Sequence, residues 1–230
     1  MFVHNAFTQG RYSADMKKVF AEFLGTALLV AIVVGSGIMA TNLSQDIGVQ
    51  LLINTISTVF GLYVLIQILA PISGASFNPV VTLVDLIQNR TSPLTFIQYA
   101  LAQSAGAVTG AVLANAMFSL PLLEASTKVR SGSNLYIGEM VATAGLILII
   151  NLLIAQEKLT LIPAIVASWI GSAYFFTSST SFANPAVTIG RAFSYSFAGI
   201  APECVLKFIA AQLLGALIGL GLTKMLTHDK

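Results

Sequence analysis

Two copies of an Asn-Pro box carry the clearest chemical signal in this sequence: Asn78-Pro79-Val80 and Asn184-Pro185-Ala186. Asn followed by Pro is a good helix start, because the Asn side-chain oxygen caps free backbone N–H groups and Pro at the first helical position has no N–H to lose. With that oxygen used, the NH2 group of each Asn remains a hydrogen-bond donor. The boxes therefore predict two helix N-termini that offer donors, and the positive ends of two helix dipoles, to a molecule with a lone pair.

Charged residues are rare in the apolar parts of the chain, and two of them occupy equivalent places. Glu22 opens the segment Glu-Phe-Leu-Gly-Thr-Ala-Leu-Leu-Val, and Glu139 opens Glu-Met-Val-Ala-Thr-Ala-Gly-Leu-Ile. An ionisable group in an apolar segment marks a functional site by default. A carboxylate repeated at one place is better explained as an acceptor for the backbone of the loops before the boxes. We predict this support for Glu22 and Glu139, and a proton relay is the less favoured alternative.

The composition identifies the solvent in which these residues must be positioned. Of 230 residues, 56% are hydrophobic and 9% are charged, against about 25% charged in soluble domains, and the mean hydropathy is +0.87. The chain is therefore predicted to be an integral membrane protein. The single Cys204 excludes a disulfide framework within the chain, and the His residues at positions 4 and 228 leave no metal cluster. We predict no metal, no cofactor and no nucleic-acid partner.

Six long apolar stretches are each able to cross a membrane, at about 1.5 Å per residue against a hydrocarbon core of about 30 Å. They lie at approximately 19–41, 48–70, 94–118, 135–155, 160–180 and 204–226. An even number of spans puts both termini on one side. Two further apolar pieces are too short to cross, and these contain the boxes: about 76–88 and 182–193.

The placement of Lys and Arg predicts the orientation. The side that holds the termini carries Arg11, Lys17, Lys18, Arg90, Lys158, Lys224 and Lys230. The connections on the other side carry Lys128 and Arg130. By the positive-inside rule both termini are predicted to be cytoplasmic, in the cell inner (plasma) membrane. Residues 1–15 are expected to form a polar tail, and the first apolar run, which no cleavage site follows, an uncleaved span.

The boxes form the middle of a longer internal repeat. The glutamate segments lie near its start, and residues 102–110 are matched by residues 211–219 near its end. We divide the single membrane domain, 1–230, into a first repeat, 16–118, and a second, 135–227. Each repeat has three spans, an odd number, so the second is threaded in the opposite direction. The predicted fold is an all-α membrane bundle of six transmembrane helices plus two half-helices.

Inversion makes the two half-helices enter from opposite faces and meet N-terminus to N-terminus near the midplane. The dipole ends and the NH2 groups of Asn78 and Asn184 would make this point electropositive and rich in donors. Such a place excludes cations and protons but accepts a neutral molecule with a lone pair.

These residues together resemble the aquaporin and aquaglyceroporin superfamily, the major intrinsic proteins, over nearly the whole chain. The resemblance rests on the paired boxes, the Glu in spans one and four, and the small residues in spans three and six. It implies an aquaporin-like bundle in the lipid bilayer, usually a homotetramer with one pore per subunit, that passes water and small neutral solutes. It assigns Asn78 and Asn184, with the rest of their boxes, to the pore.

The sequence departs from the family pattern where water-selective members form their selectivity filter. The usual Arg three residues after the second Asn is Val187, and the usual His twelve residues before it is Ser172. The neighbour beside the second box corresponds to Ser181. The residue from the second span is Thr58 by ungapped counting, or Phe60 if the Phe-Gly pair is aligned. Small side chains in place of Arg and His predict a wider filter without local positive charge.

The Arg nearest to this filter is Arg191, seven residues after Asn184. We expect Arg191 to brace the outer loop backbone or to pair with a carboxylate, and direct contact with a solute is the less favoured alternative. The second box with this Arg, followed by Ser-Phe-Ala-Gly-Ile at 196–200, resembles bacterial aquaglyceroporin-like channels associated with arsenite permeation.

The predicted function is a passive channel for water and small neutral solutes, such as glycerol-like polyols and arsenous acid. A strict water channel is the first alternative. A secondary transporter also uses inverted repeats and broken helices, but it would need a coupling carboxylate or ion site at the midplane. An enzyme is not expected, because the spans hold no His cluster and no Ser-His-Asp set.

Overall fold

The computed structural model describes the backbone of residues 2–227 and the side chains of residues 16–227. All regular structure in this part of the chain is helical. The helices are α1 (Phe2–Leu43), α2 (Ile47–Ser73), α3 (Pro79–Ile87), α4 (Pro93–Met117), α5 (Ser133–Ala155), α6 (Ile162–Phe176, after a 3-10 turn at Leu159–Leu161), α7 (Pro185–Arg191) and α8 (Pro202–Thr227).

Within the described residues, six helices are long and apolar enough to span a membrane: α1 from Met16, α2, α4, α5, α6 with its preceding turn, and α8. The predicted all-α membrane fold is confirmed. The predicted end of the fifth span at residue 180 is wrong, because α6 stops at Phe176 and Thr177 is extended. The Ser/Thr run that follows favours local side-chain hydrogen bonds over continued helix. The polar tail predicted for 1–15 lies outside the residues whose side chains are described.

Local signals in the sequence define where several helices begin and end. Asp46 caps α2 by accepting a hydrogen bond from the N–H of Val49 at 2.9 Å. Ser92 caps α4 by accepting from the N–H of Thr95 at 3.1 Å, with Pro at the first helical position. Gly74 ends α2 in the left-handed conformation, φ 91°, which glycine adopts without steric cost. The chain then turns back into the bundle.

Two helix pairs, α1 with α4 and α5 with α8, pack most closely. On α4, a Cβ at Gly106 or Gly110 would meet the backbone carbonyls of Phe23 or Ala27. On α8, a Cβ at Gly215 or Gly219 would meet backbone carbonyls of α5 in the same way. Small residues at such crossings let membrane helices approach to backbone contact. The two pairs form matching walls around the short helices α3 and α7.

The loops before the short helices hold strained backbone. Phe77 and Ala183, each directly before the Asn of a box, have φ of 48° and 47°. A non-glycine residue in this left-handed region is uncommon and persists only where surrounding contacts compensate its cost. The same conformation occurs at the same place in both halves, so matching contacts must hold the two loops.

Candidate pore

The short helices α3 and α7 begin with the same cap. Asn78 Oδ1 accepts a hydrogen bond from the N–H of Val80 at 3.0 Å. Asn184 Oδ1 accepts from the N–H of Ala186 at 2.9 Å and of Val187 at 3.2 Å. A proline follows each Asn at the first helical position. Each box therefore opens a helix whose N-terminus lies inside the bundle.

The two N-termini are joined by reciprocal hydrogen bonds. Asn78 Nδ2 donates to the carbonyl of Ala183 at 2.8 Å. Asn184 Nδ2 donates to the carbonyl of Phe77 at 2.7 Å. An amide NH2 group has two N–H bonds, so one remains on each Asn, and both residues line a central cavity. The strained residues thus aim their carbonyls at the opposite box.

Glu22 holds the first loop. Its side chain is fully buried and accepts from the N–H groups of Ser76 at 3.1 Å and Phe77 at 2.7 Å. It also accepts from the hydroxyl of Ser73 at 2.7 Å. Hydrogen bonds to a buried carboxylate are stronger than bonds between neutral groups. They offset both the burial of the charge and the strain at Phe77.

Glu139 makes the matching contacts in the second half. It is fully buried and accepts from the N–H groups of Phe182 at 2.8 Å and Ala183 at 2.9 Å. The loop N–H groups in both halves are thereby directed to a glutamate and away from the cavity. These are the contacts that Glu22 and Glu139 need in order to support the two loops as the sequence predicted.

A glutamine and a threonine extend each glutamate contact to the short helix. Gln103 Nε2 donates to Glu22 at 2.8 Å and to Thr82 Oγ1 at 3.2 Å. Gln212 Nε2 donates to Glu139 at 2.7 Å and to Thr188 Oγ1 at 2.9 Å. Both glutamine amides are therefore shared between a loop-supporting carboxylate and a half-helix. The glutamines lie in the repeated segments of α4 and α8, but sequence analysis gave them no role.

A continuous cavity of about 780 Å³ passes the two asparagines. At one end, which we name the inner end, it is lined by Lys18, Asp85 and Arg90. At the other, the outer end, it is lined by Thr58 and Arg191, among others. A cavity that runs past two inward-facing helix N-termini is the geometry of a channel through a membrane bundle.

One wall of the cavity is apolar and comes partly from α6. Its lining residues recur every four positions: Ile162, Val166, Ile170 and Tyr174. Residues four apart lie on one face of a helix. This periodicity is visible in the sequence and would have identified Tyr174, which sequence analysis missed.

The outer end brings together three of the residues predicted for the filter. Thr58, Ser181 and Val187 all line the cavity. Thr58 Oγ1 lies 3.3 Å from the hydroxyl of Tyr174, which also lines it. Of the two alternatives on α2, Phe60 is 68% exposed on the outside of the bundle. The cavity position is therefore that of Thr58.

Ser172 is the exception, and its predicted place in the filter is wrong. The residue is exposed on α6 and does not line the cavity. Ser172 and Tyr174 are two positions apart, a rotation of about 200° on a helix, so they face opposite sides. Counting back from the second Asn fails here, because the length of the loop after α6 decides which residues of α6 face the cavity.

Four other box residues also lie away from the cavity. The structure places Pro79, Val80, Pro185 and Ala186 outside its lining, so the boxes reach it through their asparagines. Val80 is fully buried in a cluster with side chains of α5 and α8. The residue at the second helical position points away from the capped N-terminus, which explains why an Asn-Pro-Val box is accommodated.

Arg191 ends α7 and lies at the outer end of the cavity. It is 2% exposed, and its Nε donates to the carbonyl of Ala198. The guanidinium carbon lies 3.4 Å from the centre of the Phe182 ring, a cation–π contact. Among the described residues no salt bridge involves Arg191. Of the two sequence expectations, the contact with the outer loop backbone is present.

Two further cations lie in the connection between α4 and α5. Lys128 Nζ donates to the carbonyl of Phe197 at 2.7 Å, and Arg130 Nε donates to the carbonyl of Gly199 at 2.8 Å. Burial, and then the like charges of Arg130 and Arg191, lower the pKa of Lys128 to about 8. Burial lowers the pKa of Arg130 to about 10. Lys128 and Arg130 thus place two further cations near Arg191.

The inner end carries a balanced pair of charges. Arg90 Nη2 lies 2.7 Å from Asp85 Oδ1, and both side chains are about one third exposed. Arg90 Nη2 also donates to Asn151 Oδ1 on α5 at 2.8 Å. This contact ties the end of α3 to the second half of the chain.

Comparisons with known proteins agree with this geometry. Residues 10–182 match the family described as Major intrinsic protein. The chain is 46% identical over 210 residues to aquaglyceroporin AqpS of Rhizobium meliloti (strain 1021), covering 91% of this chain and 90% of that protein. It is 36% identical to aquaporin-5 of Ovis aries over 103 residues, 44% of this chain and 37% of that protein.

The fold also matches a solved structure. The X-ray structure of the aquaglyceroporin from Plasmodium falciparum has a TM-score of 0.66 to this chain at 19% sequence identity. The match covers 92% of this chain and 97% of the other. With the family match over most of its length, the chain is a multi-pass membrane protein that belongs to the major intrinsic protein family.

Proposed function

We propose that this chain is a passive channel for water and small neutral solutes, with glycerol-like polyols and arsenous acid within its range. The observation that carries the proposal is the pair of N-capped half-helices whose asparagines meet on one continuous cavity. Each asparagine offers one N–H to the cavity. A molecule that accepts hydrogen bonds can exchange its bonds to water for bonds to these N–H groups. A cation has no lone pair to accept them.

Cation exclusion follows from the same geometry. Each half-helix contributes about half a positive charge at its N-terminus, and the two N-termini lie against each other. The glutamates that could cancel this charge are fully buried behind the loops. Glu22 and Glu139 therefore act as supports for the pore loops, and the cavity itself stays electropositive.

The outer end sets which solutes pass. Val187 leaves the α7 side of the filter small and apolar, whereas Tyr174 contributes a large ring with a hydroxyl on the α6 side. Thr58 adds a second hydroxyl group, whereas the hydroxyl of Ser181 is enclosed. A polyol or a hydroxylated metalloid suits this mixture, since its skeleton contacts Val187 and its oxygens meet the hydroxyls. The α7 side of the proposed filter is thus small and apolar, and Tyr174 makes its α6 side bulkier than the serine expected from the sequence.

The alternatives are less well supported. A secondary transporter would need a carboxylate or ion site open to the midplane, and both glutamates are engaged by loop N–H groups instead. A strict water channel would need a narrower outer end than Val187 provides. Members of this family are channels and not enzymes.

The arrangement in the membrane is also proposed. The chain consists of one membrane domain with inverted repeats, 16–118 and 135–227, supported by the matched contacts of the two glutamates. The excess of Lys and Arg on the side of the termini supports cytoplasmic termini in the cell inner membrane. A homotetramer with one pore per subunit is expected from the family.

Stopped-flow light scattering of proteoliposomes tests the proposal. We expect fast, gradient-driven flux of water and glycerol that is linear in solute concentration and independent of ion gradients. Empty liposomes and liposomes with an Asn78→Asp, Asn184→Asp double variant serve as controls. Saturating flux that requires an ion gradient would overturn the channel assignment, and water flux without glycerol flux would favour the strict water channel.

A further inference from the structure

The inner end of the cavity holds a hydrogen-bonded link between the two halves of the chain. Arg90 Nη2 lies 2.7 Å from Asp85 Oδ1 on α3, and it also donates to Asn151 Oδ1 on α5 at 2.8 Å. Arg90 Nε donates to the same Asp85 oxygen at 2.8 Å. A single guanidinium nitrogen therefore connects Asp85 to Asn151. We name these three residues the inner bridge.

Two members of the inner bridge contradict local preference. Asp85 lies in the last turn of α3, where the negative end of the helix dipole disfavours a carboxylate. Asn151 is 3% exposed in the transmembrane helix α5, where a polar side chain is costly unless it is hydrogen-bonded. Departures of this kind are expected at functional sites. Arg90 offsets both of them, because it bonds to both side chains.

The bridge lies where two walls of the cavity approach each other. Asp85 and Arg90 both line the cavity, and so do Ile150 and Ile154, which flank Asn151 on α5. The side chains of Asp85 and Arg90 are about one third exposed, and ion pairs at such positions contribute little to the stability of a fold. The bridge therefore fixes the distance between α3 and α5 at this end, and it can open without unfolding the bundle.

The second half of the chain has no counterpart of the bridge at the outer end. The residue equivalent to Asp85 is Arg191, which donates to the carbonyl of Ala198 in the outer loop and has no salt bridge among the described residues. Two half-helices that meet at the midplane thus do not require such a link. The inner bridge serves a purpose that belongs to the inner end.

We propose that the inner bridge limits the size of the neutral solutes that enter the cavity from the inner end. Arg90 is the positioning residue, because it holds the end of α3 to α5. With the bridge formed, the opening admits small molecules, and release of Arg90 widens it. This inference rests on the proposed channel function and adds a second determinant of the solute range, at the end opposite to Val187.

A cysteine placed behind the bridge measures the width of the opening. Leu146 lines the cavity on α5 and lies five residues, about 7.5 Å, deeper than Asn151. In a Leu146→Cys channel, the measurement is the rate of labelling by membrane-impermeant methanethiosulfonate reagents of increasing size. The reagents are applied separately to right-side-out and to inverted membrane vesicles. Only the rate from the face that holds the inner end should depend on the bridge.

Three variants in this background separate the bridge from charge alone. Arg90→Ala removes the bridge, and Asn151→Leu removes only its contact with α5. We expect each to raise the labelling rate by about two- to tenfold, the range for a two-state opening that loses one hydrogen bond, with the largest reagent gaining most. Arg90→Lys keeps the charge without the planar set of donors and should give an intermediate rate. Lys158→Met removes an exposed cation outside the cavity lining and should change nothing.

The outcomes separate this inference from a general loss of structure and from the channel function. Cys204 is buried away from the cavity, so labelling of Cys204 reports loosening of the fold. If Arg90→Ala exposes Cys204, the rate in Asn151→Leu decides. Equal rates at Leu146→Cys with the bridge intact, in Arg90→Ala and in Asn151→Leu would overturn the proposal. Labelling requires no transport, so absence of glycerol flux through the wild-type channel would overturn the channel function alone.

Discussion

The two half-helices α3 and α7 begin alike and end differently. Both open with an Asn cap, both receive a glutamate-supported loop, and both carry a threonine held by a glutamine. Seven residues after the Asn, however, the first half has Asp85 and the second has Arg191. Asp85 is part-exposed and paired with Arg90, whereas Arg191 is buried and has no salt bridge among the described residues.

This difference separates two tasks along one pore. The shared beginning of each half-helix builds the midplane, where two N-termini must meet with matched geometry. The last residues of α3 and α7 lie at the inner and the outer end of the cavity, so they need not match. At the inner end Asp85 pairs with Arg90, whereas at the outer end Arg191, Arg130 and Lys128 lie near one another without a salt bridge among the described residues. The proposed function thus assigns conduction to the symmetric part of the pore and selection to the asymmetric part.

The largest expected effect concerns the shared glutamates. Glu139→Gln replaces an acceptor oxygen by an NH2 group that faces the N–H of Phe182 or Ala183. A buried donor left without an acceptor costs about 1–3 kcal/mol, so we expect a clear loss of folded channel, and the same from Glu22→Gln. Thermal unfolding in detergent and water permeability measure this. A large loss of stability in one variant and none in the other would contradict the proposed equivalence of Glu22 and Glu139.

The second effect concerns the asparagine pair. Asn184→Asp replaces a donor at the midplane by a negative charge, which interacts with a passing cation by several kcal/mol at short range. We expect cation permeability to rise by about tenfold or more, and Asn78→Asp to behave alike. Ionic current in planar bilayers is the measurement. An unchanged current in both variants would contradict the midplane geometry.

The third effect belongs to the second half alone. Val187→Arg inserts a long cation beside Thr58 and Tyr174, so the outer end narrows. We expect glycerol flux to fall by about tenfold or more, within the range known for steric discrimination in pockets, with a much smaller loss of water flux. Val187→Leu is the matched apolar control. Equal loss of both fluxes would reject Val187 as a filter residue.

The smallest expected effect concerns the cations at the outer end. The pKa of Lys128 is lowered from 10.5 to about 8, so its neutral, nucleophilic amine accumulates as pH rises through 8. We expect labelling of Lys128 by an amine-reactive reagent, followed by mass spectrometry, to have its midpoint there. Arg130→Gln removes a like charge and should move the midpoint to higher pH. The same midpoint in wild type and Arg130→Gln would show that the two cations do not interact.

Much of the fold is encoded locally and could be predicted. Spans of more than twenty apolar residues are helices in a membrane, because backbone groups there must bond within the segment. The Asn-Pro boxes predict helix N-termini because capping involves neighbours along the chain. A common role for the two glutamates could be predicted, because equivalent positions of two similar repeats have similar neighbours in the fold. The Asn pair of the pore was predicted for the same reasons.

The tertiary structure alone decided which side chains face the cavity at the outer end. Tyr174, not Ser172, faces it because the rotation of α6 depends on its packing and on the length of the following loop. Arg191 stacks on Phe182, and Asn78 bonds to Ala183, across contacts that no local pattern encodes. Local sequence patterns thus determined the helices of the bundle and the asparagine donors at the midplane. The proposed filter at the outer end consists of residues brought together by packing, because they lie on different helices and loops.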